Sequence, residues 1–319
     1  MQDGIYAKFN TSKGEILVKI AHTPINPSDL AFLRGLYPTR KKLPVIPGIE
    51  ASGTVVATGD DFFSRRLLGK NVACTAPADG NGTWAEYMLT SYKQAIPLKK
   101  YVNLEQGSMM FVNPFSVLAM VDIAKKGGHR AIANTAAASA LGQMLNKICL
   151  QKNLVLVNVV RREEQEELLK SQGAKHVVNS SSRDFKEELS RTFIDLKVTL
   201  AFDAISGQMA FDLIEALPEG GEMKIYGALS EEPIIVNPGN LIFQRKNISG
   251  FWLSEWIVKQ HFLKLISVSN EVQKYLGDGN GTSIHKRVTL AEAMSGIDLY
   301  VEKMTAGKIL ISPGKSEQD

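Results

Sequence analysis

The chain has 319 residues, 44% of them hydrophobic and 22% charged, with a formal net charge of +4. That length fits two domains of ordinary size, and that balance is the one of a soluble globular protein. The charge is far from a nucleic-acid-binding composition, and no apolar run approaches the roughly twenty residues of a membrane span, so neither nucleic acid nor membrane is an expected partner.

The first part of the chain is rich in short strands and turns. Gly14 to Ile20 alternates, as does Ala51 to Ala57, and Lys70–Cys74 and Trp84–Met88 follow, each bounded by Gly, Pro or Asp. Regular short strands of this kind predict a barrel-like all-β domain running to about residue 115. Cys74 and Cys149 both lie in apolar runs and read as small core residues. Two cysteines, with no targeting signal in sight, point to a reducing cytoplasm.

From 116 to 256 the period changes to alternating helix and strand. Ala131–Ala133, Leu154–Val160, His176–Val178, Thr199–Asp203, Glu222–Tyr226 and Ile248–Trp252 are six candidate parallel strands. Helices are predicted over Gln143–Gln151, Glu163–Ser171, Asp184–Phe193 and Met209–Leu217. This predicts an α/β fold with a complete doubly wound parallel sheet. The rest, 257–319, shows a helix over Leu263–Tyr275, another from Leu290 and a strand Ile309–Ile311 that returns to complete the first domain.

The segment from Ala131 to Arg162 carries the clearest chemistry. A short apolar strand leads into Ala136–Gly142, built from small side chains, then a helix and a second buried strand. A phosphate-binding turn must be small so that its backbone, with the unpaired N–H groups of the helix N-terminus, can approach a pyrophosphate. Ser139, Ala140, Leu141 and Gly142 are the candidate contacts. Glycines of a full fingerprint would replace Ala137 and Ser139; only the third, Gly142, is present. About twenty positions on, an NAD site would place an acidic residue for the ribose 2′-hydroxyl. Arg161 and Arg162 stand there, and guanidinium forks suit a 2′-phosphate, which favours NADPH over NADH.

With Asn26-Pro27-Ser28-Asp29, Pro47-Gly48-Ile49-Glu50 and Gly80–Tyr87, the chain resembles the medium-chain dehydrogenase/reductase superfamily. The resemblance implies a Rossmann doubly wound sheet (116–256) and a GroES-like β-barrel catalytic domain (1–115 and 257–319). Zinc-dependent members carry a Cys in the Asn26-Pro27-Ser28 segment and Gly-His-Glu at Gly48-Ile49-Glu50, so no metal is expected. Within the zinc-free branch the chain is most similar to mitochondrial-type trans-2-enoyl thioester reductases. Tyr37 falls on that family's catalytic tyrosine, Gly82-Thr83-Trp84 on its glycine-threonine-tryptophan, and Val159-Val160-Arg161 on its NADPH-selecting strand. Gly250–Trp256, with Phe251 and Trp252, matches the edge strand that pairs across a homodimer and reaches towards the nicotinamide. Asn113-Pro114 resembles the hinge motif.

The resemblance implies reduction of a C=C bond conjugated to a carbonyl, in an enoyl thioester, an enone or a related small molecule. Hydride goes to Cβ and a proton to Cα, and Tyr37 is the expected donor. Asn26 and Asn113 are expected either to fix the substrate carbonyl or the nicotinamide amide, or to be turn residues beside proline. Trp84 either touches substrate or packs the barrel. Lys308 either reaches a cofactor phosphate or is solvated. Tyr226 and Gly227 end a strand where the ligand crevice lies. Quinone reduction and NADPH binding without catalysis stand as alternatives.

Overall fold

A computed structural model describes residues 11–38 and 41–314. It divides into two compact units, one running through Phe115 and resuming at Ile266, the other holding Ser116–Leu265. The expected boundary at 257 therefore moves: 257–265 falls with the second unit, where Lys264 Nζ donates to Asp122 Oδ1 at 2.8 Å.

The first unit begins with β1 (Glu15–Pro24), β2 (Glu50–Thr58), β3 (Asn71–Thr75), β4 (Tyr87–Ser91) and β5 (Ala95–Pro97). Alternation puts Ile16, Val18 and Ile20 of β1 on one face, against Ala51, Val55, Val72, Cys74 and Met88. The strand expected over Trp84–Met88 begins only at Tyr87. Gly82 and Trp84 donate their N–H groups to Ile46 and Pro47 instead, which holds that stretch as a loop.

The second unit supplies β6 (Ala131–Asn134), β7 (Val155–Val160), β8 (His176–Asn179), β9 (Leu200–Asp203), β10 (Glu222–Ile225) and β11 (Asn247–Gly250). All pair in parallel, in the order β11-β10-β9-β6-β7-β8, the doubly wound arrangement that the sequence predicts. Phe185, Leu189 and Phe193 of one helix and Leu213 and Ile214 of another pack against Val157, Ala201 and Met223 of the sheet. In helix Ala140–Gln151, Met144, Leu145, Ile148 and Cys149 are buried at helical spacing.

The chain then returns to the first unit with β12 (Ile284–Val288) and β13 (Lys308–Ile311), which complete the order β12-β13-β1-β2-β3-β5, with β4 also on β1. Thr23 and Pro24 of β1 pair antiparallel with Ile311 and Leu310. A second core gathers here from Ile25, Leu30, Trp84, Val288, Tyr300, Ile309 and Ile311.

Candidate active site

In the second unit the chain leaves β6 through Thr135 and Ala136, the latter in the left-handed region at φ +48°. Two side chains lock this corner. Thr135 Oγ1 donates to Asp203 Oδ1 at 2.7 Å and accepts from the Ala204 N–H at 2.8 Å. Asp203 also accepts from the N–H groups of Ile205 and Ser206 at 2.9 and 2.8 Å. Ala137 N–H donates across to Val159 of β7 at 3.2 Å. Ser139 caps the helix Ala140–Gln151 by accepting from the Gly142 N–H at 3.1 Å. That leaves the first helical N–H groups, of Ala140 and Leu141, without a partner inside the helix.

Gly142 is dictated by space. A Cβ there would lie 2.3 Å from the Ala137 carbonyl oxygen and 2.6 Å from its Cα. The helix therefore seats directly on the turn, and only glycine permits that approach.

At the carboxyl end of β7, the backbone N–H groups of Arg161 and Arg162 donate to Gln165 Oε1 at 3.1 and 3.3 Å. Both residues are exposed, and among the described residues neither guanidinium is engaged. The bond from Ala137 to Val159 holds the turn and this strand end together. Beyond the neighbouring β8 lies a cavity of about 510 Å³ lined by Ser180, Ser182, Arg183, Phe185, Met209 and Asp212, among others. Small-residue turn, helix N-terminus and unengaged arginines thus lie on one βαβ unit, an arrangement of unpaired N–H groups and cations that suits an anionic ligand.

Tyr226 and Gly227 follow β10. The Tyr226 phenol donates to Asn134 Oδ1 at 3.0 Å, and burial raises its pKa, so it stays protonated. Ser206 Oγ donates to the Gly227 carbonyl at 3.1 Å. Phe251 lies just past β11 and meets Phe202 edge-on, ring centroids 6.3 Å apart, while Trp252 is 45% exposed at the start of helix Leu253–Val258.

In the first unit the expectations separate. Tyr37 is partly exposed. It follows helix Pro27–Leu33, which ends in a Schellman motif: Gly35 at φ +72° donates to Phe32 and Leu36 donates to Ala31. Asn26 is fully buried, and both ends of its amide are engaged. Nδ2 donates to Glu50 Oε1 at 2.9 Å, and Lys308 Nζ donates to Oδ1. Fully buried and engaged at both ends, this amide is a structural link within the unit, and nothing here supports the expectation that it fixes a substrate carbonyl. Lys308 is 2% exposed and its ammonium also reaches the Ile25 carbonyl at 3.3 Å and the face of Tyr300. It is neither a phosphate contact nor a solvated lysine. Trp84 packs in the core at 7% exposure, with its indole N–H unpartnered. Asn113 is buried near the start of helix Val112–Lys126.

Sequence reasoning does not single out two buried carboxyls as chemical groups. Glu50 Oε2 accepts from the N–H groups of Phe111 and Val112 at 2.9 and 3.0 Å, and burial raises its pKa. Asp29 accepts from the Asn26 N–H at 2.8 Å, and burial pushes it up to about 7. Burial in turn lowers Lys308 to about 8, against the attraction of both acids. Their place in the Asn-Pro-Ser-Asp and Gly-Ile-Glu motifs is the available signal.

Residues 12–100 match the alcohol dehydrogenase GroES-like domain, and residues 140–269 match the zinc-binding dehydrogenase family model. An enoyl-[acyl-carrier-protein] reductase, mitochondrial, of Caenorhabditis elegans is 34% identical over 254 residues, 77% of this chain and 70% of that protein. The chain belongs to the medium-chain dehydrogenase/reductase superfamily. The human enoyl-[acyl-carrier-protein] reductase, mitochondrial, is 30% identical over 76% of the chain, an alignment that spans 65% of its own length. These relatives are mitochondrial by name and lend no support to the cytoplasmic expectation. No helix among the described residues is long and apolar enough to cross a membrane.

Among solved superfamily structures, a Mesorhizobium loti protein assigned as an NADPH:quinone reductase superposes with TM-score 0.88 at 35% identity, over 96% of this chain and 88% of that one. An enoyl thioester reductase of Candida tropicalis has the same fold, with TM-score 0.77 at 22% identity over 95% and 92%. The zinc in the family model's name finds no suitable donor set here. Ile49 offers only hydrocarbon where zinc members have histidine, and the amide of Asn26 is already engaged. No three His, Cys, Asp or Glu among the described residues are grouped to hold an ion.

Proposed function

We propose that this member of the superfamily is an NADPH-dependent reductase of C=C bonds conjugated to a carbonyl, with an enoyl thioester as the leading substrate class. One observation carries the reading: two uncommitted guanidiniums stand at the end of β7, beside a turn whose close packing only Gly142 allows. The backbone of Ser139–Gly142 would hold the pyrophosphate, and Arg161 and Arg162 the 2′-phosphate. When bound, NADPH supplies a hydride for Cβ of the substrate. The Tyr37 phenol steadies the negative charge that develops on the carbonyl oxygen and supplies the proton for Cα. The identity of the enoyl-reductase relatives over most of the chain supports this substrate class.

Quinone reduction is the second reading, favoured by the 35% identity to the Mesorhizobium loti protein, and it needs no protein acid. We also propose a homodimer through β11, because this strand ends its sheet with one edge unpaired among the described residues and exposed Trp252 follows it.

The deciding assay follows NADPH consumption with crotonyl-CoA, an alkenal and a quinone in parallel, each repeated with NADH. The double variant Arg161→Ala/Arg162→Ala should weaken NADPH binding by about 10- to 100-fold and leave NADH use unchanged. Tyr37→Phe should slow enoyl reduction by roughly 10²- to 10⁴-fold with NADPH binding intact. Equal use of NADPH and NADH by the unaltered protein would remove the cofactor assignment. Fast quinone turnover that survives Tyr37→Phe, with crotonyl-CoA untouched, would establish the second reading, and NADPH binding with no turnover of any acceptor would leave a binding protein.

A further inference from the structure

The first unit buries one ammonium and two carboxyls in a single connected cluster. Lys308 on β13 donates to Asn26, Asn26 donates to Glu50 on β2, and Glu50 accepts from the two N–H groups at Phe111 and Val112. Asn26 stands immediately before helix Pro27–Leu33, and Asp29 in that helix's first turn accepts from the Asn26 N–H. The other end of the same helix is closed by the Schellman bonds of Gly35 and Leu36, and Tyr37 is the next residue. The helix is thus a short rigid spacer, pinned at its start by Asn26 and continuous at its end with the Tyr37 segment.

We infer that Lys308 is a positioning residue for Tyr37: its buried ammonium holds the Asn26 amide, which seats helix Pro27–Leu33 and so sets where the phenol stands. This rests on the role of Tyr37 proposed above. Lys308 touches neither substrate nor cofactor in this role. It acts through the segment from Asn26 to Tyr37, which carries no buried cation of its own. Asn26 serves as the link, because its amide bonds both Lys308 and Glu50.

The test is a double-mutant cycle on the full-length protein with crotonyl-CoA and NADPH, using Lys308→Met, Tyr37→Phe and the pair. Lys308→Met keeps a linear apolar stem and removes the charge. The expected result is a fall in kcat of about 10- to 100-fold, the scale of a misplaced reacting group. The KM for crotonyl-CoA and the Kd for NADPH should stay within about threefold of the unaltered values. The pair should be no slower than Tyr37→Phe alone, since both changes then remove the same contribution.

Hydrogen exchange gives a readout independent of turnover. The amides of Arg34, Gly35 and Leu36, which donate to Leu30, Phe32 and Ala31, should lose protection in Lys308→Met while β2 and β3 keep theirs. If Lys308→Met does not fold, Asn26→Ser runs the same cycle, because serine is well tolerated at a helix N-cap but cannot span to Lys308 and Glu50 together. Equal fold-losses from Lys308→Met in the unaltered protein and in the Tyr37→Phe background, or unchanged protection at 34–36, overturn this inference alone. A Tyr37→Phe protein as fast as the unaltered one overturns the reading beneath it, and this inference with it.

Discussion

Gly142→Ala is the sharpest probe of the nucleotide turn, because ordinary helix energetics and local geometry give opposite signs. In an open helical position the change would stabilise by about 0.5–1 kcal/mol. Here the new methyl would stand 2.3 Å from the Ala137 oxygen and 2.6 Å from its carbonyl carbon, roughly 1 Å inside normal contact. Both sides of that contact are backbone, so no side-chain rotation relieves it. The turn is held on its far side by the bond from Ala137 to Val159 and by the Ser139 cap, so helix and turn must part. Overpacking of this kind costs about 1–3 kcal/mol, which cancels the gain and leaves a net loss of up to about 2.5 kcal/mol. Urea midpoints of Gly142→Ala and Gly239→Ala provide the comparison, since a Cβ at Gly239 meets nothing closer than a side-chain oxygen at 3.3 Å. NADPH binding, followed by fluorescence, should weaken only in the first variant. A Gly142→Ala protein more stable than the unaltered one, as an open helical position would make it, would refute the claim that close packing dictates this residue.

Asp29, pushed by burial up to about 7, keeps its proton in the folded state between roughly pH 4 and 7, where the unfolded chain has released it. Stability contributed by this group is therefore present at low pH and falls as pH rises through that window, by at most about 1.4 kcal/mol per pH unit for one proton. Asp29→Asn should gain on the unaltered protein in denaturant midpoint from about pH 5 to 7, and a constant difference would contradict the assignment. Ser206 adopts φ +69° and ψ −160°, a region essentially reserved for glycine, while its hydroxyl donates to Gly227. Ser206→Ala loses the bond and keeps the strain, whereas Ser206→Gly loses the bond and relieves it. Ser206→Gly should be the more stable by about 1 kcal/mol in thermal melts, and the reverse order would show that the backbone there is unstrained.

The second unit is the more legible in sequence because its strands are buried on both faces and read as unbroken apolar runs, such as Leu156–Val160. Helix Val112–Lys126 gives no such signal, for a related reason: Asn113–Val121 is buried without interruption, so no polar face marks a helical period. Strand β12 is equally silent, because His285, Lys286 and Arg287 are exposed in succession and show no alternation. Gly142 and the arginine pair stand where spacing along one βαβ unit puts them. Asn26 and Lys308 mislead because the bond that defines them joins positions 282 residues apart. No local pattern carries that information.

Lysine and arginine in this chain illustrate how accessibility, rather than charge, decides what a cation does. Lys308 is buried against an amide, a backbone carbonyl and an aromatic face, and these contacts, with the attraction of the nearby Glu50 and Asp29 carboxyls, offset part of the penalty for removing an ammonium from water. Replacing such a cluster by well-packed hydrocarbon is often neutral or stabilising, so the role inferred for it is to hold the segments around Asn26, Glu50, Phe111 and β13 in one arrangement rather than to add stability. Arg161 and Arg162 face no such penalty and have no protein partner among the described residues. Their hydrogen-bonding forks remain available, at the carboxyl end of a parallel strand, for a ligand that brings its own anion. On the proposed reading the buried cation orders its segments and the exposed pair recognises the cofactor, and exchanging these roles would require each to lose the surroundings that define it.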